Sequence, residues 1–533
     1  MASKDPFRVG PGNKIPMPWP FDQGVGSQEA QQFVDTLQSS YDKILQDYQI
    51  RLFDARVQSL FPRSSFEARE TLIIYTDDED YSYKWKKAAT EIQEMLDRAI
   101  RKKNSSLKIR VEIRNRYKMY QDTSSIIVPN STAHKAFIKA ESAVYEQVKK
   151  SCADLCTTIS YHMRGPRWET EPKDRKPTLI VTVVPGSRSL WAFVQSHIEG
   201  ALTPAAMSFG IDLYIEILPG TAQLLVSQEM APPKPLILRR LPEMPVNGSS
   251  IGPRGCNTAA GSLGTWVYFQ PAGNAEKQRC FLTCYHVISP GGTLQRTAND
   301  EYGVGLNGRK VETVMNVDYP ASFDAMATKE LLQFEIAQGG DPDGKKAKTV
   351  QLIDRYVSTN GIGSVIYASG NRKNIDGRRI DWALVNLHDA KSFPQNKPPA
   401  ANFSPSQLFN GRLEYDVGPG EVVTRSGQLV KGDWVSKIGR GGTTTGEVNA
   451  MKAVVYWENG MESKEIEIAS LPDSRGGAFV IPGDSGSMVF NLNKEWVGMS
   501  IGRLSLSDSG YITLVQDLVD DIRETTGGTI SLP

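Results

Sequence analysis

Near the C-terminal end, Gly483-Asp484-Ser485-Gly486 forms a turn between two apolar runs, "FVIP" and "MVF". A serine presented on such a turn can attack a carbonyl, but its hydroxyl is a weak nucleophile near neutral pH. It needs a base to take its proton, usually a histidine oriented by a buried carboxylate. Two histidines lie in the same part of the chain: His286 in "CFLTCYHVISP" and His388 in "VNLHDAK". His286 ends an apolar, strand-like run, as a base held on a rigid element would. His388 follows a strand in a polar setting and reads as a surface residue.

Positioning these groups is the task of a chain of 533 residues, for which about 150 residues per domain suggests two to four domains. Lys plus Arg number 61 against 60 for Asp plus Glu, a balance that implies neither nucleic acid nor an anionic membrane as partner. No run approaches the ~20 apolar residues of a membrane span, and the N-terminus lacks the apolar core of a secretory signal. The expectation is a cytoplasmic protein. Five cysteines, Cys152, Cys156, Cys256, Cys280 and Cys284, do not make a disulfide framework and fit a reducing compartment. Cys152 and Cys156 could share a helix face but have no second ligand pair nearby, so buried free thiols are expected and no metal.

Residues 1–26 are rich in Pro and Gly and read as loosely packed or disordered. From Ser27, a plausible N-cap, apolar residues from Phe33 to Leu52 recur at helical spacing and predict a long amphipathic helix. A strand from Thr71, a helix around Trp85 and a strand from Leu107 follow. The order then repeats: a helix from Ala133 to about Tyr161, a strand from Thr178, a helix around Trp191 and a strand from Ile211. Thr71-Leu72-Ile73 answers Thr178-Leu179-Ile180, and Trp85 answers Trp191, so residues 27–125 and 126–222 read as a duplicated helix-strand-helix-strand module. Both tryptophans are expected to be core anchors, and neither strand-to-helix turn carries a phosphate-binding glycine loop. A Pro-rich linker spans 223–254. Residues 255–533 are short alternating or β-branched runs punctuated by Gly, an all-β barrel or sandwich.

Within that region "LTCYHV", "IDWALV" and "PGDSGSMV" occur in that order. They resemble the histidine, aspartate and serine motifs of chymotrypsin-like serine peptidases. The resemblance implies a double β-barrel, and hence a multidomain α+β chain in which the duplicated α/β module precedes a chymotrypsin-like domain. It implies Ser485 as nucleophile, His286 as base and Asp381, rather than Asp376, as its carboxylate. The amides of Gly483 and Ser485 would form the oxyanion hole. "VSKIGRGGTTTGEV" is similar to a segment of non-zymogen relatives, which implies a preformed ion pair of Lys437 with Asp484 in place of a cleaved N-terminus. By position, Phe479, Ser500, Ile501, Gly502 and Gly510 would bind substrate. An apolar or aromatic P1 residue is implied, unless Phe479 fills the pocket and restricts it to small side chains.

The sequence departs from the family pattern at Cys284-Tyr285, where a bulky Tyr adjoins the base, and in "SFDAMATKELLQFEIAQGG", which reads as an inserted helix. The expected function is an intracellular serine endopeptidase acting on protein or peptide without a cofactor. Its N-terminal module would meet a regulatory partner or self-associate. Rival readings are a silent peptidase-fold scaffold and a protease limited to cutting itself in the linker.

Overall fold

The computed structural model describes residues 5, 7–13, 15–17, 19–78, 83–115, 118–119, 122–166, 175–224, 236–238, 244–311, 313–388, 393–397, 422–470, 478–505 and 509–533. Among them the chain is mixed α+β and separates into two compact units. One comprises Met1–Thr123, Ala140–Cys156 and Met163–Thr221; the other comprises Ser124–Lys139, Thr157–His162 and Ala222–Pro533.

In the first unit, the Ser27 side chain accepts from the Ala30 amide and caps a helix, Gln28–Asp35. The single long helix expected here is two. Thr36 closes the first with its hydroxyl on the Phe33 carbonyl at 2.7 Å, and Gln38–Asp47 forms the second. Gln49, at φ 54, then turns the chain into a strand, Leu52–Pro62, so Leu52 leaves the helical pattern. Arg69–Thr76 pairs antiparallel with that strand and parallel with Arg110–Asn115 across the helix Tyr83–Lys102. The second cycle, of which Ser124–Lys139 and Thr157–His162 belong to the second unit, runs through helix Thr132–Cys152, strand Cys156–Pro166, strand Lys176–Val183, helix Trp191–Phe209 and strand Tyr214–Pro219. The helix expected to reach Tyr161 stops at Cys152, because Ala153 takes a left-handed φ of 45 and a β-branched run, Thr157-Thr158-Ile159, follows. Cys152 and Cys156 therefore do not share a helix face. The element order recurs, with one strand per cycle more than helical spacing reveals.

Residues 1–26 are not loose where described. Arg8–Val9 pairs with Ile113 and Arg114, Phe21–Val25 pairs with Gln58–Pro62, and Phe7, Met17 and Phe21 are buried. The two tryptophans also part company. Trp85 is buried in the core, whereas Trp191 is half-buried under the Arg63 guanidinium, 4.7 Å from its ring centroid.

The second unit holds two large antiparallel sheets and a two-stranded one, Arg372–Lys373 with Arg379–Ile380. One has the strand order Gly261–Ser262, Ser250–Pro253, Asn316–Asp318, Gly363–Ala368, Ala383–Leu387, Gln278–Thr283, Trp266–Gln270, Thr529–Ser531. The other contains a closed ring of Trp434–Gly439, Met488–Asn491, Trp496–Leu504, Gly510–Leu514, Glu462–Ser470 and Gly442–Tyr456, the last pairing back to the first. Closure leaves no open edge within the ring and buries Val435, Val448, Ile468, Val489 and Ile512 inside it. The inserted helix is present as Ser322–Ala337, and Lys345–Ser358 follows it. Helix Val515–Thr526 interrupts what reads as all-β sequence. "GEVVTRSG" forms no described strand, only a bridge from Ser426 to Trp496.

The Pro-rich stretch is pinned wherever it is described; residues 225–235 and 239–243 lie outside the described residues. Ala222–Leu224 pairs with Gly502–Leu504, the amides of Leu236 and Leu238 donate to Asp324 and Thr328 of the inserted helix, and Ser250–Pro253 is a sheet strand. Among the described residues no helix is long and apolar enough to cross a membrane.

Candidate active site

Strand Gln278–Thr283 carries buried Phe281 and Leu282 and ends in a one-turn helix, Tyr285–Ile288, which presents His286. Asp381 sits between two buried stretches, Arg379–Ile380 and Ala383–Leu387, the second paired with the histidine's own strand. Ser485 lies in the turn before Met488–Asn491. The structure brings all three side chains together. His286 Nδ1 is 2.7 Å from Asp381 Oδ2, and its Nε2 is 2.5 Å from Ser485 Oγ. The His286 amide also donates to Asp381 Oδ1 at 3.1 Å, fixing the carboxylate at both oxygens.

Asp381 has no exposed surface, and burial alone would resist its ionisation. The His286 and Arg379 charges and the hydrogen bonds from His286 outweigh that penalty and hold its carboxyl well below the usual carboxylate range. An ionised Asp381 fixes the imidazole with its proton on Nδ1, which leaves Nε2 to accept from the serine hydroxyl.

Arg379 is the residue that motif reading misses. Its Nε donates to Asp381 Oδ2 at 3.0 Å, its Nη2 to Asn371, and its side chain is fully buried. The signal was there: on an extended strand, positions two apart face the same side, and "RRID" places Arg379 two before the carboxylate.

The turn itself is built by glycines and a buried ion pair. Gly483 has φ +97, where any side chain would be strained, and a Cβ there would lie 2.6 Å from Arg440 Nη1 and displace it. Lys437 Nζ meets Asp484 Oδ2 at 2.5 Å with both side chains wholly buried. Asp484 also accepts from the amides of Gly441 at 2.7 Å and Ile481 at 2.9 Å. Those three contacts fasten the loop that carries Ser485. Among the described residues the amides of Gly483 and Ser485 have no acceptor, while their neighbours Asp484 and Gly486 donate to Ile481 and Ser500.

Ser500, Ile501 and Gly502 reach the site: the Ser500 carbonyl accepts from Gly486, Ser485 Oγ is 3.4 Å from the Ile501 carbonyl, and Gly502 follows on the same strand. Phe479 lines no opening. It has no exposed surface and belongs to the apolar interior of the ring, so close to Gly510 that a Cβ there would lie 3.0 Å from its ring. Asp376 is more than half exposed and pairs with Arg378; exposed His388 binds Ser364. Neither joins the cluster. Tyr285, bulky beside the base, is accommodated because its ring enters the core and its hydroxyl donates to Asp300 at 2.6 Å.

Cys284, His286 and Asp381 offer ligand atoms within 4.8 Å of one another, the only such metal-like group among the described residues. Both imidazole nitrogens are engaged, however, and the Cys284 thiol donates to the Ser500 carbonyl at 3.3 Å. Burial and nearby Asp381 push that thiol's pKa well up, so it offers no thiolate to a metal.

No family model matches the chain. Among solved structures it is similar to Thermobifida fusca protease A and a Nocardiopsis protease. Each is 13% identical with TM-score 0.28, over 54% of this chain and 98% of that one. Cellulomonas bogoriensis chymotrypsin is 13% identical with TM-score 0.26, over 54% and 97%. These neighbours are serine proteases, at similarities too low to assign any residue a role.

Proposed function

We propose that the second unit is a serine endopeptidase that cuts peptide bonds through an acyl-enzyme. The observation that carries this reading is one imidazole engaged at both nitrogens, by a buried carboxylate and by a hydroxyl on a glycine turn. Ser485 Oγ attacks the scissile carbonyl as its proton passes to His286 Nε2. Asp381 holds the ring and stabilises its cationic form. The amides of Gly483 and Ser485 receive the oxyanion, a contribution of ~10²–10³ in rate per donor in enzymes of this chemistry. His286 returns the proton to the leaving amine, then activates water to release the acid. With Phe479 filling the space beside Gly510, the side chain preceding the cut bond is small or medium and apolar. The N-terminal unit positions substrate or restrains the protease, and the free buried thiols fit work in a reducing compartment.

Labelling of the full-length protein by a fluorophosphonate tests the reading. Wild type is expected to label at Ser485 and Ser485→Ala not at all. Folded wild type that stays unlabelled and leaves peptides uncut would move the weight to a silent scaffold, which the lack of exposed surface on Ser485 also favours.

A further inference from the structure

The reacting hydroxyl sits beside a sheet edge. Met488–Asn491 covers the first part of strand Trp496–Leu504, from Phe490 opposite Trp496 to Met488 opposite Met499. There the chain leaves the ladder for the serine turn, with the Gly486 amide on the Ser500 carbonyl and Ser485 Oγ 3.4 Å from the Ile501 carbonyl. A peptide whose carbonyl lies at Ser485 therefore has Gly502 to Leu504 beside it, an edge on which its preceding residues can pair as an added strand held by its backbone. At ~3.3 Å per extended residue, the residue about two before the cut bond falls opposite Gly502.

That edge is already taken. Leu224 stands opposite Gly502, Gln223 opposite Arg503 and Ala222 opposite Leu504, all antiparallel. The occupant is firmly seated: Ala222 is buried, Arg503 Nη2 donates to Gln223 Oε1 at 3.4 Å, and Leu224 packs against the apolar core that holds Trp457 and Ile501. The Gln223 carbonyl comes so near Gly502 that a Cβ there would lie 2.9 Å from it, and 2.7 Å from Trp457. A strand edge offers each amide and carbonyl once, so one backbone at a time can pair with Gly502–Leu504. Ser485 itself has no exposed surface, as a site held closed requires.

Resting on the endopeptidase reading, we infer that Ala222–Leu224 is a built-in competitor for substrate: it closes the edge that receives the residues before the cut bond, and an extended peptide binds there only after it lifts away. As part of the same chain it competes at an effective concentration on the order of mM, whatever the amount of substrate. With three residues it can still be displaced. The bonds among Ser485, His286 and Asp381 are intact while the strand is in place, so the device gates binding and not chemistry. A small acyl group that does not reach Gly502 reacts with the edge closed. A tenfold higher KM for a long peptide needs the paired state to outnumber the lifted one by about ten to one.

Hydrolysis of acetylated peptide nitroanilides ending in valine, of two and of five residues, tests this in the full-length protein, with fluorophosphonate labelling of the same samples. In wild type the longer peptide is expected to gain less than about twofold in kcat/KM over the shorter. Gln223→Pro, which removes a backbone donor and crowds the pairing, should raise kcat/KM for the five-residue peptide at least about tenfold, through KM, while the two-residue peptide and labelling stay within about twofold. Gln223→Gly, which loosens the strand, should give a smaller rise on the long peptide alone, and carries the test if the proline variant fails to fold. Wild type that already gains tenfold from length overturns the closed edge and keeps the endopeptidase. Variants that label like wild type yet gain nothing from length overturn Ala222–Leu224 as the obstacle. Folded wild type that neither labels nor cuts either peptide overturns the endopeptidase reading, and this proposal with it.

Discussion

Each unit buries one carboxylate between two nitrogen bases, and only one of these clusters can do chemistry. In the first unit Glu112 receives Arg8 Nε at 2.6 Å and Arg114 Nε at 2.5 Å, with all three side chains fully buried. In the second, Asp381 receives Arg379 Nε at 3.0 Å and His286 Nδ1 at 2.7 Å. Apart from Glu in place of Asp, the arrangements differ in one base. Guanidinium holds its protons at any working pH, so the Glu112 cluster ends in fixed charge. Imidazole can carry a proton on either nitrogen, so the Asp381 cluster continues through Nε2 to a hydroxyl. A buried ion pair is therefore no signature of a site; a titratable link to a nucleophile is.

Removing the carboxylate in each place should separate the two roles. Asp381→Asn keeps the shape but allows the wrong imidazole tautomer, and labelling by a fluorophosphonate should fall ~10⁴-fold. Glu112→Gln leaves two arginines buried against a neutral amide. It should destabilise the fold by about 3–5 kcal/mol in urea unfolding while leaving labelling of the folded protein within about twofold. If Glu112→Gln lost labelling at full occupancy of the folded state, the contrast between the clusters would collapse.

Lys437→Met sits between these extremes. It strands the Asp484 carboxylate in the turn that carries Ser485, so stability should drop by about 3–5 kcal/mol and labelling should slow as well. Paired measurements of unfolding midpoint and labelling rate check it. Loss of stability alone would make the pair a fastening unrelated to the geometry of the turn.

How much of this the sequence reveals differs between the two units for the same physical reason. His286, Asp381 and Ser485 are legible because each stands in a short motif that resembles one of the three motifs of chymotrypsin-like peptidases. Lys437 and Asp484 are legible only through the resemblance of "VSKIGRGGTTTGEV" to a segment of non-zymogen peptidases, which implies their pairing. Arg379 is missed because no motif covers it: "RRID" places it two before Asp381, but the fold alone shows it enclosed by Asn371 and Glu465. The Glu112 cluster is invisible, since Arg8 lies in a Pro- and Gly-rich stretch that reads as loose and meets Glu112 only through sheet pairing. Helical spacing also overruns Thr36 and Cys152, where a side-chain hydrogen bond in one case and a left-handed residue in the other end the helix. The pairing of Ala222–Leu224 with the strand beside Ser485 has no sequence signal of any kind, because an added strand is specified by backbone register and not by side chains.

The smallest expected effect concerns a carboxyl that borders the Asp381 cluster. Glu465 Oε1 accepts the Arg379 amide at 2.9 Å, and burial raises its pKa to about 7 against hydrogen bonds from Ser463 and Arg379. The folded protein therefore keeps a proton that the unfolded chain gives up near pH ~4.5. This group's contribution is fully present below that pH and is lost as pH rises through about 7, a total on the order of 3 kcal/mol. Glu465→Gln keeps the acceptor for the Arg379 amide and removes the titration. Its stability relative to wild type should thus rise between pH 4.5 and 8 by that amount, read from urea midpoints across the range. Protonated Glu465 leaves the Arg379 charge to Asp381 alone; once ionised, it competes for that charge. A stability difference that stays flat with pH would mean Glu465 is ionised throughout, with Arg379 divided between two carboxylates and Asp381 dependent chiefly on His286.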